Sequence, residues 1–162
     1  MATKLKQPKR RAVTKTMAKA PPVTESIVND QPRIFTDADW PVGSAAHQGD
    51  LILVRIAILP ASAKPRHQRQ LADGDTQGSR HILEAGHVFD CQAADVVKAI
   101  NAVCPRADIQ DRYIGPVFRT SNDSAVLAHP EHGDHHYAGE MTIAVVYQRN
   151  LDAEQREQIA RD

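Results

Sequence analysis

The densest set of side chains that could do chemistry lies between His129 and His136, in the stretch HPEHGDHH. Four histidines and two carboxylates share these eight positions, and neutral imidazole and carboxylate are ligands for Zn, Fe, Mn or Ni. Pro130 and Gly133 predict a loop, where spacing along the chain does not fix ligand geometry. The pattern indicates either a divalent-metal site or a polar, histidine-rich turn at the surface. The ligands of the metal site would be His81, His129, His132 and His135.

Other catalytic patterns are missing from the sequence. It contains neither an H-E-x-x-H pair, nor a glycine-rich phosphate loop, nor a G-x-S-x-G nucleophile motif. Cys91 and Cys104 lack the C-x-x-C spacing of zinc and redox sites, so we expect them to be small core residues in a reducing compartment. The sequence therefore predicts no catalytic residue and no cofactor other than such a metal.

Strand-like patterns dominate the part of the chain that carries these residues. The run LILVRIAIL (51–59) is rich in branched side chains and stops before Pro60, which indicates a buried strand. Further strands are predicted in HILEAGHVF (81–89), YIGPVFRT (113–120), SAVLAH (124–129) and over 141–148. We therefore expect a mainly β protein, a small barrel or sandwich of jelly-roll or cupin type.

Two helices are expected to interrupt the strands. Four apolar residues fall at helical spacing between Asp90, which could cap a helix, and Pro105, which would end it. They are Val96, Val97, Ile100 and Val103. Asp152 followed by Gln155 resembles a capping box and predicts a short C-terminal helix over 153–162.

The N-terminal part differs from the rest in charge. Its first 20 residues hold seven lysines and arginines and no acidic residue, which leaves 13 basic and 20 acidic residues in the remainder of a formally neutral chain. Five prolines before residue 45 argue against helices. We expect an extended basic arm over 1–45 and a β-rich globular domain over 46–162.

The arm is expected to bind a partner through two kinds of contact. Electrostatic contacts would come from Lys4, Lys6, Lys9, Arg10, Arg11, Lys15 and Lys19. Phe35 and Trp40 would be its apolar anchors. Apolar docking should contribute most of the affinity, because one buried large side chain gives ~1.5–3 kcal/mol and an exposed ion pair ~0–1 kcal/mol.

Membrane and export signals are weak in this sequence. No stretch approaches the ~20 apolar residues of a membrane span, and the basic leader lacks the apolar core of a signal peptide. We expect a cytoplasmic or virion protein that is not secreted by a signal peptide and does not contact a membrane.

Four motifs carry a resemblance to known proteins. They are GDLILVR from Gly49, GDTQGSRH ending at His81, HPEH from His129, and the Gln148-Arg149 pair. In this order they resemble a group of short, functionally uncharacterised β-rich proteins of bacteria and their phages. Histidines on successive strands also resemble cupins, small β-barrels that often hold a metal. Where the group has a paired H-x-H, this chain has Ser79 and His81, so the resemblance implies that one ligand is lost.

These observations favour a non-enzymatic structural or accessory protein of a macromolecular assembly, such as a phage virion decoration or cement protein. The arm would tether it to a protein assembly or to copies of itself. One alternative is a cupin-like metal-binding protein or enzyme that uses the cluster 129–136. A second is a nucleic-acid-associated protein, in which seven arm charges would give a strongly salt-dependent affinity.

Overall fold

The computed structural model describes residues 32–73, 80–105, 109–121, 124–151 and 157–159. Its strands are β1 (Arg33–Thr36), β2 (Ala45–Gln48), β3 (Leu51–Ile56), β4 (Lys64–Arg66), β5 (Gln70–Asp73), β6 (Arg80–Leu83), β7 (His87–Asp90), β8 (Ile114–Arg119), β9 (Ala125–Ala128), β10 (His135–Ala138), β11 (Thr142–Tyr147), β12 (Arg149–Leu151) and β13 (Glu157–Ile159). The helices are α1 (Ala93–Val103) and a one-turn 3-10 helix (Asp111–Tyr113).

Two sheets form the body of the described residues. One has the strand order β1-β10-β9-β6-β5 and the other β2-β3-β11-β8-β7-β4, with β12 and β13 as a separate pair. All pairings are antiparallel except β1 with β10, which run parallel. Gly86 makes the turn between β6 and β7, where the chain passes from one sheet to the other. Its φ is +104°, and a Cβ there would lie 2.6 Å from the carbonyl oxygen of Arg119.

The main core lies between the two sheets. Leu51 and Leu53 of β3 and Phe118 of β8 pack there against Leu127 of β9 and Tyr137 of β10, all fully buried. Side chains alternate along a strand, so every second residue of β3 faces this core. The two faces pack as a sandwich and do not close into a barrel within the described residues. The mainly β sandwich with one inserted helix is therefore confirmed.

A second core lies on the outer face of the six-stranded sheet. Val54 and Ile56, the alternate residues of β3, pack there under Val96 and Ile100 of α1. Because β3 is covered on both faces, its sequence is apolar at every position except Arg55. Cys91 and Cys104, expected as core residues, pack half-buried against the edge of this second core.

Two local expectations are corrected by the structure. Glu157–Ile159, expected in a C-terminal helix, form an antiparallel pair with Arg149–Leu151 instead. A ten-residue helix with few apolar residues gains little from packing, and its nucleation is costly. Asp90 does not cap α1, because it is the last residue of β7 and pairs with Lys64; Gln92 occupies the N-cap.

The boundary expected at residue 45 also lies too far along the chain. Arg33–Thr36 form an edge strand of the five-stranded sheet, and Trp40 is only 4% exposed. Pairing satisfies the backbone of β1, and burial of the indole ring removes a large apolar surface from water. Residues 33–45 therefore belong to the folded body. The remainder of the arm, 1–31, lies outside the described residues.

Candidate functional site

A set of polar side chains is buried between the two sheets at the end where the turn 129–134 joins β9 to β10. Gln48, Asp50, His81, His129 and His135 are each between 0% and 5% exposed. The first two flank the turn between β2 and β3 in the six-stranded sheet, and the histidines belong to the five-stranded sheet or follow its strands. Burying this much polar surface is costly unless its hydrogen bonds are made.

His81 is bound from both sides of its ring. Its Nε2 lies 3.0 Å from Oδ1 of Asp50, and its Nδ1 lies 3.2 Å from Oε1 of Gln48. The Gln48 amide is oriented by its Nε2, which donates to the carbonyl oxygens of Leu127 and Gly133 at 3.0 Å each. Both nitrogens of His81 therefore face acceptors, and the ring donates to both when it is an imidazolium beside the Asp50 carboxylate. These bonds join one sheet to the other.

His129 shapes the turn that follows it. Its Nδ1 accepts from the backbone N–H groups of Glu131 and His132 at 3.1 Å each. The Asp134 carboxylate accepts from the backbone N–H of His129 at 3.4 Å. In a six-residue connection, backbone N–H groups would otherwise bond to water. Here side-chain atoms of His129 and Asp134 accept their hydrogen bonds. An unprotonated Nδ1 is required for this arrangement, so His129 is neutral here.

Three histidine rings form a column from the core toward the surface. The ring centroids of His81 and His129 are 4.3 Å apart, and those of His129 and His132 are 4.5 Å apart. His132, at the outer end, is half-buried. The structure therefore brings together three of the four histidines that the sequence singled out.

His135, the fourth, is the first residue of β10. Its ring centroid is 4.9 Å from that of Phe35, and its Nδ1 is 3.5 Å from the hydroxyl of Tyr137. The pKa of His135 is lowered to about 4, chiefly because the ring is buried and to a smaller extent because of the charges of Arg33, His81 and His136. His135 is thus neutral at pH 7 and behaves as part of the core.

The metal site predicted from these histidines stays a prediction. The rings of His129 and His132 are stacked with 20° between their planes, and those of His81 and His129 are tilted by 35°. In the part of the chain that the structure describes, no group of three or more His, Cys, Asp or Glu residues is arranged to hold a metal ion. Binding a metal at His81 would require its ring to release Gln48 or Asp50.

Gln48 and Asp50 were not among the residues singled out as chemical. A signal for them exists in the sequence, since two polar residues flank Gly49 just before an apolar strand.

Cys91, by contrast, is not a reactive thiol. Burial raises its pKa to about 11, with smaller contributions from the carboxylates of Asp90 and Asp95.

Phe35 and Trp40, expected to anchor the arm on a partner, dock on the chain's own core. Their ring centroids are 4.8 Å apart, and Phe35 stacks on Tyr137 at 5.4 Å. Arg55 holds the same segment by donating to the carbonyl oxygen of Trp40 and pairing with Asp37. The seven basic residues of the arm, 4 to 19, lie outside the described residues.

Comparison with known proteins gives one match. A family model described as a domain of unknown function, DUF8820, matches residues 47–140. This range contains the whole buried polar set and excludes β1 and Trp40. No curated protein and no solved structure matches the chain. Among the described residues there is no helix of the length and apolar character needed to cross a membrane.

Proposed function

The chain belongs to the DUF8820 domain family, and from this premise we propose that it is a non-enzymatic structural or accessory protein of a macromolecular assembly. Its basic N-terminal arm holds the family domain on that assembly, of which a phage virion is one example. In this proposal the arm attaches the chain to the assembly, and the domain is the part that is attached.

The way in which the base of the arm is mounted carries this proposal. Arg33–Thr36 pair in parallel with His135–Ala138, and the backbone N–H of Arg33 donates to the carbonyl oxygen of Asp134 at 2.9 Å. Trp40 follows after a turn in which its N–H donates to the carbonyl oxygen of Thr36 at 3.0 Å. Strand pairing and the buried indole ring attach this segment firmly to the sheet. A partner bound by residues 1–31 would therefore be held to the whole folded body.

Charge separation supports an anionic or polar partner for the arm. The first 20 residues carry seven positive charges, and the remainder carries 13 basic and 20 acidic residues. The net negative charge of the body repels other acidic surfaces, whereas the positive charge of the arm attracts them. Contact with a partner is therefore directed to one end of the molecule.

The buried histidines support a structural reading of the domain. Both ring nitrogens of His81 and the Nδ1 of His129 are used for bonds within the protein. These bonds fix the turn 129–134 and with it β10, the strand on which β1 is mounted. The polar cluster thus stabilises the place where the arm leaves the body.

Truncation tests the proposal. A chain that lacks residues 1–31 keeps β1 and Trp40, so we expect it to fold with an unchanged circular dichroism spectrum and thermal midpoint. In cells of its natural host, the full chain should sediment with a large particle, and the truncated chain should stay in the supernatant. Equal sedimentation of both chains would overturn the proposal. Loss of the particle on nuclease treatment would replace it with nucleic-acid binding.

A further inference from the structure

The segment from β1 to Trp40 fills a site whose residues lie far from it in the sequence. Arg33–Thr36 pair in parallel with His135–Ala138, so the edge of β10 supplies the backbone partners of β1. The ring of Phe35 stacks on that of Tyr137 at 5.4 Å, and the ring of Trp40 lies 5.9 Å from the same tyrosine. One strand edge therefore holds the extended backbone and both aromatic rings of the segment.

A buried arginine of the other sheet holds the polar groups of the same segment. Arg55 is 9% exposed, donates to the carbonyl oxygen of Trp40 and pairs with the carboxylate of Asp37. A guanidinium is a planar fork, so it can bind two acceptors that are fixed relative to one another. The site thus recognises an extended segment with a carboxylate between two aromatic side chains.

The family domain contains this site but not the segment that fills it. The matched range, 47–140, includes Arg55 and Tyr137 and begins after Trp40. The segment contacts the body through one face of β1, since Ile34 on the other face is 69% exposed. Copies of a protein exchange such an element at low cost, because its contacts are the same in either arrangement.

We propose that the edge of β10 and Arg55 form a binding site for the segment 33–40, and that a second copy of the chain supplies this segment in an oligomer. In an isolated chain, the chain's own segment fills the site. Exchange keeps every contact of the segment and joins two bodies. The inference concerns 33–40 rather than the basic residues 4 to 19, so it and the tether can fail separately.

A synthetic peptide of residues 32–42 tests the site. Trp40 is the only tryptophan of the chain, so full-length Trp40→Ala and Trp40→Phe contain none and the peptide's fluorescence reports binding. We expect saturable binding to Trp40→Ala, and a dissociation constant at least tenfold larger for Trp40→Phe, whose own segment competes better. The matched control is the same peptide with Phe35→Ala and Asp37→Ala, which should not bind.

Circular dichroism shows which variants are folded. A Trp40→Ala chain that is unfolded alone should regain the folded spectrum when the peptide is added, and its failure to do so would contradict the site. Absence of binding to the folded variants, or equal binding of the control peptide, overturns the proposal.

A mixture of two full-length variants tests exchange between copies. Trp40→Ala has an intact site and a defective segment, whereas Arg55→Met has an intact segment and a defective site. In sedimentation equilibrium we expect each variant alone to be a monomer and the mixture to form a heterodimer. The control mixture of Trp40→Ala with the natural chain should associate at least tenfold more weakly, because the natural segment stays in its own site.

Arg55→Lys is the second site variant for the case in which Arg55→Met does not fold, since it keeps the charge but not the planar fork. Folded variants that remain monomers when mixed overturn exchange between copies. So does a heterodimer that forms equally well with the natural chain.

Discussion

At the scale of single residues, the central feature is a buried ionisable pair with all its contacts made. Asp50 and His81 are 3% and 0% exposed, and their closest atoms are 3.0 Å apart. Removing one partner of such a pair leaves the other charge buried and uncompensated, which costs far more than the pair itself contributes. We therefore expect the loss of either partner to destabilise the whole cluster, which joins the two sheets.

His81→Ala should lower the free energy of unfolding by about 3–5 kcal/mol, because Asp50 and Gln48 lose their partner inside the core. His47→Ala is the matched control, since His47 is an exposed histidine on β2 and should change stability by less than about 0.5 kcal/mol. Urea unfolding followed by tryptophan fluorescence of Trp40 measures both. Similar small effects for the two variants would show that the pair does not hold the sheets together.

The free energy of unfolding should decrease as the pH is lowered, because His135 must stay neutral in the folded protein. Its pKa is about 4 in the folded protein and about 6.5 when unfolded, so the unfolded chain binds the proton first. The contribution of His135 is complete above pH 6.5 and is lost as the pH falls toward 4, about 3 kcal/mol in total. Unfolding curves at pH 7, 5.5 and 4.5 test this. In His135→Leu, the slope of the free energy of unfolding against pH should correspond to the uptake of one proton fewer on unfolding. An unchanged slope would contradict this assignment.

The predicted metal site leads to a separate test. If His81, His129, His132 and His135 bind Zn, Fe, Mn or Ni, elemental analysis of the purified chain should show near one metal per chain. The metal should be lost in His132→Ala, whose half-buried ring lies at the outer end of the column. A folded, stable and metal-free natural chain would rule the site out.

At the scale of elements, the central strands could be predicted and the edges could not. The strand at 51–56 is covered on both faces, so a run that is apolar except at Arg55 marks it in the sequence. The strand β1 has only four residues, follows Pro32, and pairs with a strand about one hundred residues further along the chain. Local pattern carries no information about such a partner. The C-terminal helix was wrong for a related reason, since a capping box cannot compensate for a missing apolar face.

Three of the five buried polar residues, His81, His129 and His135, could also be identified from the sequence. Density of histidines identified the stretch 129–136, and the shared motif identified His81. Which rings would meet depended on the register of β9, β6 and β10, which no local pattern specifies. The role of Gln48 depended on the carbonyl oxygens that it meets in the folded chain.

Trp40 should be the residue on which the base of the arm depends most. Trp40→Ala removes a ring that is 4% exposed and that contacts both Phe35 and Tyr137. We expect a loss of about 3–5 kcal/mol in the free energy of unfolding. The control Ile34→Ala, on the neighbouring strand but 69% exposed, should cost less than about 1 kcal/mol. Equal losses would mean that the indole ring does not secure this segment.

At the scale of the whole molecule, the chain divides into an acidic folded body and a basic segment attached at one sheet edge. The described part of the body has its own cores on both faces of the six-stranded sheet, so we expect it to fold without residues 1–31. We propose that the seven positive charges of that segment contact something outside the body. We propose that the family domain is the folded unit and that the arm gives it its place in an assembly.

Cross-linking in cells of the natural host tests the tether most directly. A lysine-reactive reagent should join Lys4, Lys6, Lys9, Lys15 and Lys19 to one protein of a large particle, whereas Lys64 and Lys98 on the body should not reach that protein. Cross-links from the five arm lysines only to the chain's own body, or the same partner for arm and body lysines, would contradict a tethering arm.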